Sequence, residues 1–160
     1  VASSVGFELE AILENLKFLD VPIGRGNIKE IRGIKIIDDS YNANQASMSL
    51  AISSLIGMDG KKVALLGEML ELGDHSERAH QTIADRVGDN VDIVYTFGGG
   101  FRKTKFFCER VHLDSVKAFD FHQFGEYLEE GSTVLVKGSN KVFWGNNFVQ
   151  RLSEAITIKI

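Results

Sequence analysis

Short apolar runs alternate with stretches of helical periodicity along most of this 160-residue chain. The runs that predict strands are GIKIIDD, KKVALLGEM, VDIVYTFGG, the weaker VKAFDF, and STVLVKGS. The stretches between and after them that predict helices are QASMSLAISSLIGM, HSERAHQTIADRVGD, FRKTKFFCERV, HQFGEYLEE and FWGNNFVQRLSEA. Strands separated by helices indicate βαβ units, so we expect an α/β fold with a mostly parallel sheet.

The first part of the chain has a different pattern. FELEAILENLKFL has apolar residues at helical spacing and predicts one amphipathic helix. DVPIGRGNIKEIRG follows it with the only proline, Pro22, and three glycines, a composition typical of a linker. We therefore place a domain boundary in this stretch, where NIKEIR is a candidate for one additional, antiparallel edge strand.

Composition argues against several classes of protein. A net charge of −4 offers no basic face for nucleic acid. No apolar run approaches the ~20 residues that cross a bilayer, so we expect no membrane insertion. The single cysteine, Cys108, lies in a predicted helix and permits no intramolecular disulfide. We interpret it as a buried structural residue of a protein from a reducing compartment.

Polar residues gather where the predicted strands end. The segments that follow four of them are DDSYNAN, GEMLELG, FGGG and KGSN. In parallel sheets ligands bind beyond the carboxyl ends of the strands, so these segments are the candidate site. Asp38 and Asp39 point to opposite faces of their strand, and at least one of them projects toward this edge. Two interpretations of DDSYNAN stay open: a ligand site, or a turn in which Asn44 caps the next helix.

Other motifs in the sequence give weaker indications of a functional site. Neither a G-x-x-x-x-G-K-[ST] loop nor a G-x-G-x-x-G after the first strand is present. The FGGGF stretch can offer N–H groups to an anion, but we favour the simpler interpretation of a glycine turn. His75 and His80 are five residues apart and do not form a chelating pair on a helix, and His112 and His122 lie in loop-like context. We expect no metal site here. Glu68 and Glu71 are candidate acid or base groups, or ordinary helix-start carboxylates.

Three motifs in this order, IIDDSYNANQASM, LLGEMLELGDHSERAH and VLVKGSN, closely resemble the C-terminal domain of the ATP-dependent Mur ligases, which build peptidoglycan. GRG at 24–26 fits the arginine that opens this domain in the family. The resemblance covers nearly the whole chain. It implies that residues 1–22 are the last helix of the preceding central domain with its linker, and that 23–160 are a Rossmann-like C-terminal domain of about six strands with helices on both faces.

The resemblance also implies a reaction. The motifs are most similar to those of the family member in which ATP phosphorylates UDP-N-acetylmuramoyl-tripeptide and the amine of D-alanyl-D-alanine attacks the acyl phosphate. Partners would be these three substrates and the missing N-terminal and central domains, in the cytoplasm. The phosphate-binding loop and the Mg²⁺ ligands belong to the central domain in this family, so we expect the fragment alone to be inactive.

Site residues follow from the same resemblance, position by position. Arg25 resembles the catalytic arginine that reaches the ATP phosphates, and Asp39 matches the acidic position that holds the ribose hydroxyls. ATP-binding candidates are Arg25, Asp39, Tyr41 and Asn42. Candidates for the D-alanyl-D-alanine side are Asn44, Glu68, Lys137 and Ser139. Lys137 is the expected partner of the dipeptide carboxylate, or alternatively a solvated strand end.

The sequence departs from the family at two places. Gln45 stands where the family usually has a proline at the first helical position, which removes rigidity but no chemistry. NKVFWGNNF is bulkier than the stretch that the family has after VKGS. Two alternatives also stay open: a sister Mur or folylpolyglutamate-type ligase with another acceptor, and a receiver-type signalling domain, which IIDDS and LVKGS mimic in outline.

Overall fold

A computed structural model describes residues 22–158 of the chain, so the helix predicted within 1–22 lies outside the described residues. The described part contains six strands and four α-helices. The strands are β1 Asn27–Ile31, β2 Ile34–Asp39, β3 Lys62–Gly67, β4 Ile93–Phe97, β5 Glu109–Leu113 and β6 Thr133–Lys137. The helices are α1 Gln45–Ile56, α2 Ser76–Val87, α3 Phe121–Tyr127 and α4 Phe148–Thr157.

All six strands form one sheet in the order β1-β2-β6-β3-β4-β5. Only the β1–β2 pair is antiparallel, and the other four pairs are parallel. The chain runs from β2 through β3 and β4 to β5 and then returns across the sheet to insert β6 between β2 and β3. The predicted Rossmann-like, mostly parallel sheet of about six strands is confirmed.

NIKEIR forms the predicted antiparallel edge strand, and a two-residue turn joins it to β2. Arg32 and Gly33 occupy this turn with φ of 52° and 73°, between the paired residues Ile31 and Ile34. Two successive positive φ values are the signature of the type I′ turn, whose twist matches that of the strands it connects. The second half of the predicted linker is therefore part of the first hairpin of the sheet.

Helices cover both faces of the sheet, as predicted. On one face α1 and α2 pack on alternate strand residues through Met48, Ile52, Leu55 and Ile83, all of which are fully buried. On the other face α3 and α4 contribute Phe124, Phe148 and Leu152 to an aromatic-rich core. The strands between them are buried on both sides, which explains why KKVALLGEM and STVLVKGS read as continuous apolar runs.

The stretch between β4 and α3 differs from the prediction. FRKTKFFCERV is not a helix, because the chain makes only a short 3₁₀ turn at Gly99–Phe101 and then a loop that leads into β5. Arg110 of β5 stabilises this loop, because its guanidinium donates to the carbonyls of Phe101 and Thr104, each at 2.6 Å. Cys108 thus lies in a loop rather than a helix, and burial raises the pKa of its thiol.

Two further predictions for this region are wrong. VKAFDF is not a strand: Val116–Ala118 is a 3₁₀ turn, and the edge strand lies a few residues earlier, in β5. His112 is part of β5, where its Nδ1 lies 2.9 Å from Thr96 Oγ1, and His122 is in α3, so neither lies in a loop. No helix within residues 22–158 is both long enough and apolar enough to span a membrane.

Candidate functional site at the carboxyl edge of the sheet

Because β6 lies between β2 and β3, the carboxyl ends of three neighbouring parallel strands meet at one edge of the sheet. The segments that follow these strands border a cleft of about 480 Å³, which we call the carboxyl-edge cleft. Its lining includes Tyr41, Asn42, Asn44, Glu71, Ser139 and Asn140. Three of the four polar strand ends singled out in the sequence are thus brought together, at the point where strand order changes direction, and the FGGG segment is not among the lining residues.

Close approach of two glycines brings the ends of β3 and β6 together. A Cβ added to Gly138 would lie 2.7 Å from the Cα of Gly67 and 2.8 Å from the ring of Phe143. Side chains at these positions would force the two strand ends apart. The glycines of LLGEM and VKGSN therefore set how closely the two loops that border the cleft approach each other.

The two aspartates of β2 lie on opposite faces, as the alternation predicts. Asp38 is 2% exposed, and its Oδ1 accepts from both the amide and the hydroxyl of Ser40, the latter at 2.6 Å. Asp38 therefore shapes the turn after the strand. Asp39 faces α1, and its side chain remains 24% exposed beside a groove that Ile37, Leu50 and other apolar residues line.

Lys137 is the partner of Asp39. Its side chain is 2% exposed, and its ammonium lies 2.9 Å from Asp39 Oδ2. The same ammonium donates to the carbonyl of Asn42 at 2.8 Å and lies 3.5 Å from the carbonyl of Asp39. These three oxygens match the three N–H donors of an ammonium group. Lys137 is therefore a buried, paired cation, and the alternative of a solvated strand end is wrong.

Asn42 and Asn44 both stabilise the loop between β2 and α1. Asn42 Oδ1 accepts from the amide of Ala43 at 2.8 Å. Asn44 caps α1: its Oδ1 accepts from the amide of Ser47 at 2.8 Å, while the Ser47 hydroxyl accepts from the amide of Asn44 at 3.1 Å. This reciprocal pair is a capping box. The predicted cap is present, and the Asn44 side chain is also exposed at the cleft.

Glu68 and Ser139 join the loops that follow β3, β4 and β6. Glu68 Oε2 accepts from the amide of Gly100 at 2.9 Å, so the FGGG stretch binds a carboxylate of this chain. Ser139 is 4% exposed, and its Oγ accepts from the amide of Leu70 at 2.9 Å. Glu71 completes the segment with a φ of +64°, an uncommon conformation for a residue other than glycine, asparagine or aspartate.

Arg25 lies in the Gly24–Arg25–Gly26 turn, which hydrogen bonds to the DDSYNAN segment. The amide of Gly26 donates to the carbonyl of Asp38 at 2.8 Å, and the amide of Tyr41 donates to the carbonyl of Gly24 at 3.0 Å. The guanidinium carbon of Arg25 lies 4.6 Å from the centre of the Tyr41 ring. No carboxylate within residues 22–158 forms an ion pair with Arg25.

Two residues that the sequence reasoning missed contribute to the site. Trp144 packs edge-on against Tyr41 with 5.5 Å between ring centres, and it is 38% exposed. A lone tryptophan in the glycine- and asparagine-rich stretch after the last strand was the available signal. His80 was considered only as a metal ligand, but its Nε2 accepts from the amide of Met69 at 3.0 Å. The sequence signal was its helical spacing with Ile83, Ala84 and Val87, which places it on the apolar face of α2, where it is fully buried.

No group of three or more His, Cys, Asp or Glu side chains within 22–158 is arranged to hold a metal ion. Two carboxylates near the cleft are engaged elsewhere, since Asp39 pairs with Lys137 and Glu68 binds an amide of the FGGG stretch, and Glu71 lines the cleft itself. The described residues do not fit Mg²⁺, and a metal that serves this site needs ligands from outside them.

Comparison with known proteins agrees with the fold and with the motifs. Residues 24–140 match the family model described as "Mur ligase, glutamate ligase domain". A relative from Buchnera aphidicola subsp. Acyrthosiphon pisum, named UDP-N-acetylmuramoyl-tripeptide–D-alanyl-D-alanine ligase, is 32% identical over 146 residues. The aligned region covers 86% of this chain and 32% of that protein.

Solved structures of MurF ligases have a similar fold over this region. MurF from Acinetobacter baumannii superposes with a TM-score of 0.80 at 25% identity, covering 96% of this chain and 35% of that one. The MurF ligase from Thermotoga maritima, solved in complex with ADP, superposes with a TM-score of 0.75 at 25% identity, covering 94% and 37%. The chain spans about a third of the length of the curated relatives it matches.

Proposed function

Since the chain belongs to the Mur ligase family, whose glutamate ligase domain it matches over residues 24–140, we propose that it is the C-terminal domain of the ligase that joins D-alanyl-D-alanine to UDP-N-acetylmuramoyl-tripeptide. The domain comprises residues 23–160, and residues 1–22 are the end of the central domain. Family membership decides against the receiver-type signalling domain. A cytoplasmic location accords with the use of ATP.

One observation carries the proposal: the carboxyl-edge cleft unites the motifs that distinguish the D-alanyl-D-alanine-adding member of the family. DDSYNAN, GEMLELG and KGSN follow β2, β3 and β6, and all three border this cleft. A sister ligase with another acceptor would share the positions of Arg25 and Asp39. The SYNAN stretch at the cleft favours the dipeptide-adding member.

Arg25 and Asp39 are proposed to bind ATP, together with Tyr41 and Asn42. The Arg25 guanidinium lies over the Tyr41 ring and has no acidic partner among the described residues. A guanidinium binds phosphate oxygens well and can stabilise the negative charge that develops during phosphoryl transfer. The Lys137 ammonium contacts Oδ2 of the Asp39 carboxylate at 2.9 Å. Because a carboxylate has about four acceptor positions, the side chain can still accept hydrogen bonds from the ribose hydroxyls.

Asn44, Glu68, Lys137 and Ser139 are proposed to form the acceptor side. Asn44 and Ser139 border the cleft directly. Contact of Lys137 with the dipeptide carboxylate would require its buried ammonium to leave its partners Asp39 and Asn42. We therefore infer that Lys137 serves the acceptor side mainly by holding the DDSYNAN loop in place.

In the proposed reaction the γ-phosphoryl group of ATP passes to the tripeptide carboxylate, which yields an acyl phosphate and ADP. The amine of D-alanyl-D-alanine then attacks the acyl carbon, loses a proton and displaces phosphate. Mg²⁺, held by the missing central domain, would neutralise phosphate charge. The role of this chain is to orient the nucleotide and the acceptor. On closing over the central domain it would also exclude water from the acyl phosphate. The isolated chain should therefore not catalyse the reaction.

The test uses the full-length parent enzyme, supplied with ATP, Mg²⁺ and UDP-N-acetylmuramoyl-tripeptide, with and without D-alanyl-D-alanine. We expect phosphate release that requires the dipeptide. Asp39→Asn, which keeps an oxygen for Lys137, should raise the KM for ATP, and Asp39→Ala should raise it further. Asp59→Ala, an exposed loop position, is the matched control and should behave as wild type.

The outcomes separate the alternatives. Phosphate release that ignores the dipeptide but depends on another amino acid would assign the chain to a sister ligase. An unchanged KM for ATP in both Asp39 variants would overturn the proposed nucleotide role of Asp39 while leaving the reaction itself in place.

A further inference from the structure

His80 is held in a single protonation state by two backbone groups. The side chain is fully buried on α2, with its Nδ1 2.7 Å from the carbonyl oxygen of Ser76 and its Nε2 3.0 Å from the amide of Met69. A carbonyl only accepts and an amide only donates, so Nδ1 carries the proton and Nε2 presents a lone pair. Burial lowers the pKa of His80, while the Ser76 carbonyl and the charge of Glu68 oppose that shift.

The FGGG stretch packs directly on this ring and on Glu68. A Cβ added to Gly100 would lie 2.5 Å from the His80 ring, and one added to Gly98 would lie 2.4 Å from the Glu68 carboxyl. The ring of Phe101 packs edge-on to His80 with 4.5 Å between ring centres. The glycines therefore leave room for the imidazole and for the carboxylate, which fixes both side chains beneath the end of β3.

Consecutive residues of the GEMLELG segment are thus anchored from three different elements. Glu68 is bound by the amide of Gly100, Met69 by His80 of α2, and Leu70 by Ser139 after β6. The next residue, Glu71, has a positive φ and lines the carboxyl-edge cleft. A segment held in this way keeps an uncommon backbone conformation that an unsupported loop would relax.

We propose that His80 is a positioning residue for the acceptor side of the cleft: its neutral ring binds the Met69 amide and thereby fixes segment 68–71 in the shape that the acceptor requires. The identity of the acceptor as D-alanyl-D-alanine rests on the proposed function. The positioning role itself rests on the contacts of His80, and an ordinary core histidine would affect stability without selectively affecting the acceptor.

The test compares His80→Gln and His80→Met in the full-length parent enzyme. Glutamine can place an acceptor oxygen near the position of Nε2, whereas methionine has similar length and no comparable acceptor. A buried amide left without a partner destabilises the segment that contains it, so we expect His80→Met to raise the KM for D-alanyl-D-alanine by about tenfold. The KM for ATP should stay within about twofold of wild type, and His80→Gln should recover most of the affinity for the dipeptide.

A second measurement does not depend on catalysis. ¹⁵N NMR of the 160-residue chain at neutral pH should find His80 neutral with its proton on Nδ1. Hydrogen exchange should find the Met69 amide protected in wild type and in His80→Gln, and exposed to exchange in His80→Met.

Several results would overturn the inference. A proton on Nε2, equal changes of both KM values in His80→Met, or a His80→Gln variant no better than His80→Met would each do so. A wild-type enzyme that ignores the dipeptide would instead refute the proposed function. In that case the NMR and exchange results decide the positioning role by themselves.

Discussion

Replacement of Lys137 by methionine is the sharpest test of how this site is held together. The substitution keeps an unbranched apolar stem like that of lysine and removes the ammonium. In the wild-type chain that ammonium contacts Asp39 Oδ2 at 2.9 Å and the carbonyl of Asn42 at 2.8 Å. Its loss leaves a carboxylate and a carbonyl without their partner at the carboxyl edge of the sheet.

The size of the effect follows from burial. Removal of one partner from a fully buried ion pair costs about 3–5 kcal/mol, because the other charge stays behind without compensation. The Lys137 side chain is 2% exposed but that of Asp39 is 24% exposed, so water can partly hydrate the remaining carboxylate. We therefore expect the free energy of unfolding to fall by about 2–3 kcal/mol, a substantial part of the 5–15 kcal/mol typical of a domain.

Urea unfolding of the 160-residue chain measures this change. The companion variants are Asp39→Asn and the double variant Asp39→Asn/Lys137→Met, which close a double-mutant cycle. We expect a coupling energy of about 1–3 kcal/mol, as is usual for residues in direct contact. Lys117→Met, at an exposed position, is the control and should change stability by less than about 0.5 kcal/mol. Additive single effects, or a Lys137→Met variant as stable as the control, would refute the assignment of Lys137 as the buried partner of Asp39.

Three further predictions concern stability. Asn44→Ala should cost about 1 kcal/mol in urea unfolding and Asn44→Ser much less, because serine can also cap α1; equal losses would contradict the capping role. Gly138→Ala should lower the melting temperature markedly, since its Cβ would lie 2.7 Å from the Cα of Gly67, whereas Gly145→Ala, with its nearest contact at 3.6 Å, should be mild. Because the pKa of His80 is lowered in the fold, the unfolded chain binds more protons below about pH 6.5, so stability should fall as pH drops through that value and His80→Gln should reduce this slope.

Much of the site could be predicted because it follows from strand periodicity. Once IKIIDD is a strand, alternation places Asp38 and Asp39 on opposite faces, and the structure has Asp38 bound to Ser40 and Asp39 toward α1. Parallel strands bring their carboxyl ends to one edge, which is enough to gather DDSYNAN, GEMLELG and KGSN. The Asn44 cap could be predicted from local sequence alone, because the capping side chain binds an amide only three positions further along the chain.

The region after β4 was not predictable in the same way because its conformation depends on strand pairing with β4 and on side-chain contacts to the backbone. FRKTKFFCERV has apolar residues at helical spacing, but its last residues pair with β4 as the start of β5. Arg110, one of these residues, donates to the carbonyls of Phe101 and Thr104 earlier in the same stretch, which holds that part as a loop rather than a helix. The alternation in ERVHL was the available signal for β5, and it is weak because this strand lies at the edge of the sheet and is only half buried.

Burial of Lys137 was equally inaccessible from sequence, because it depends on a partner 98 positions away. That burial changes how substitutions in this site must be interpreted. A Lys137 variant with weak dipeptide affinity would not identify a dipeptide contact, because the same change releases Asp39 on the proposed nucleotide side and the Asn42 carbonyl in the loop between the two sides. Asp39→Asn separates these effects: it removes the charge of Asp39 and keeps an oxygen for the ammonium. If Lys137 acts through the loop, Asp39→Asn should weaken ATP binding and leave dipeptide affinity nearly intact, while Lys137→Met should weaken both.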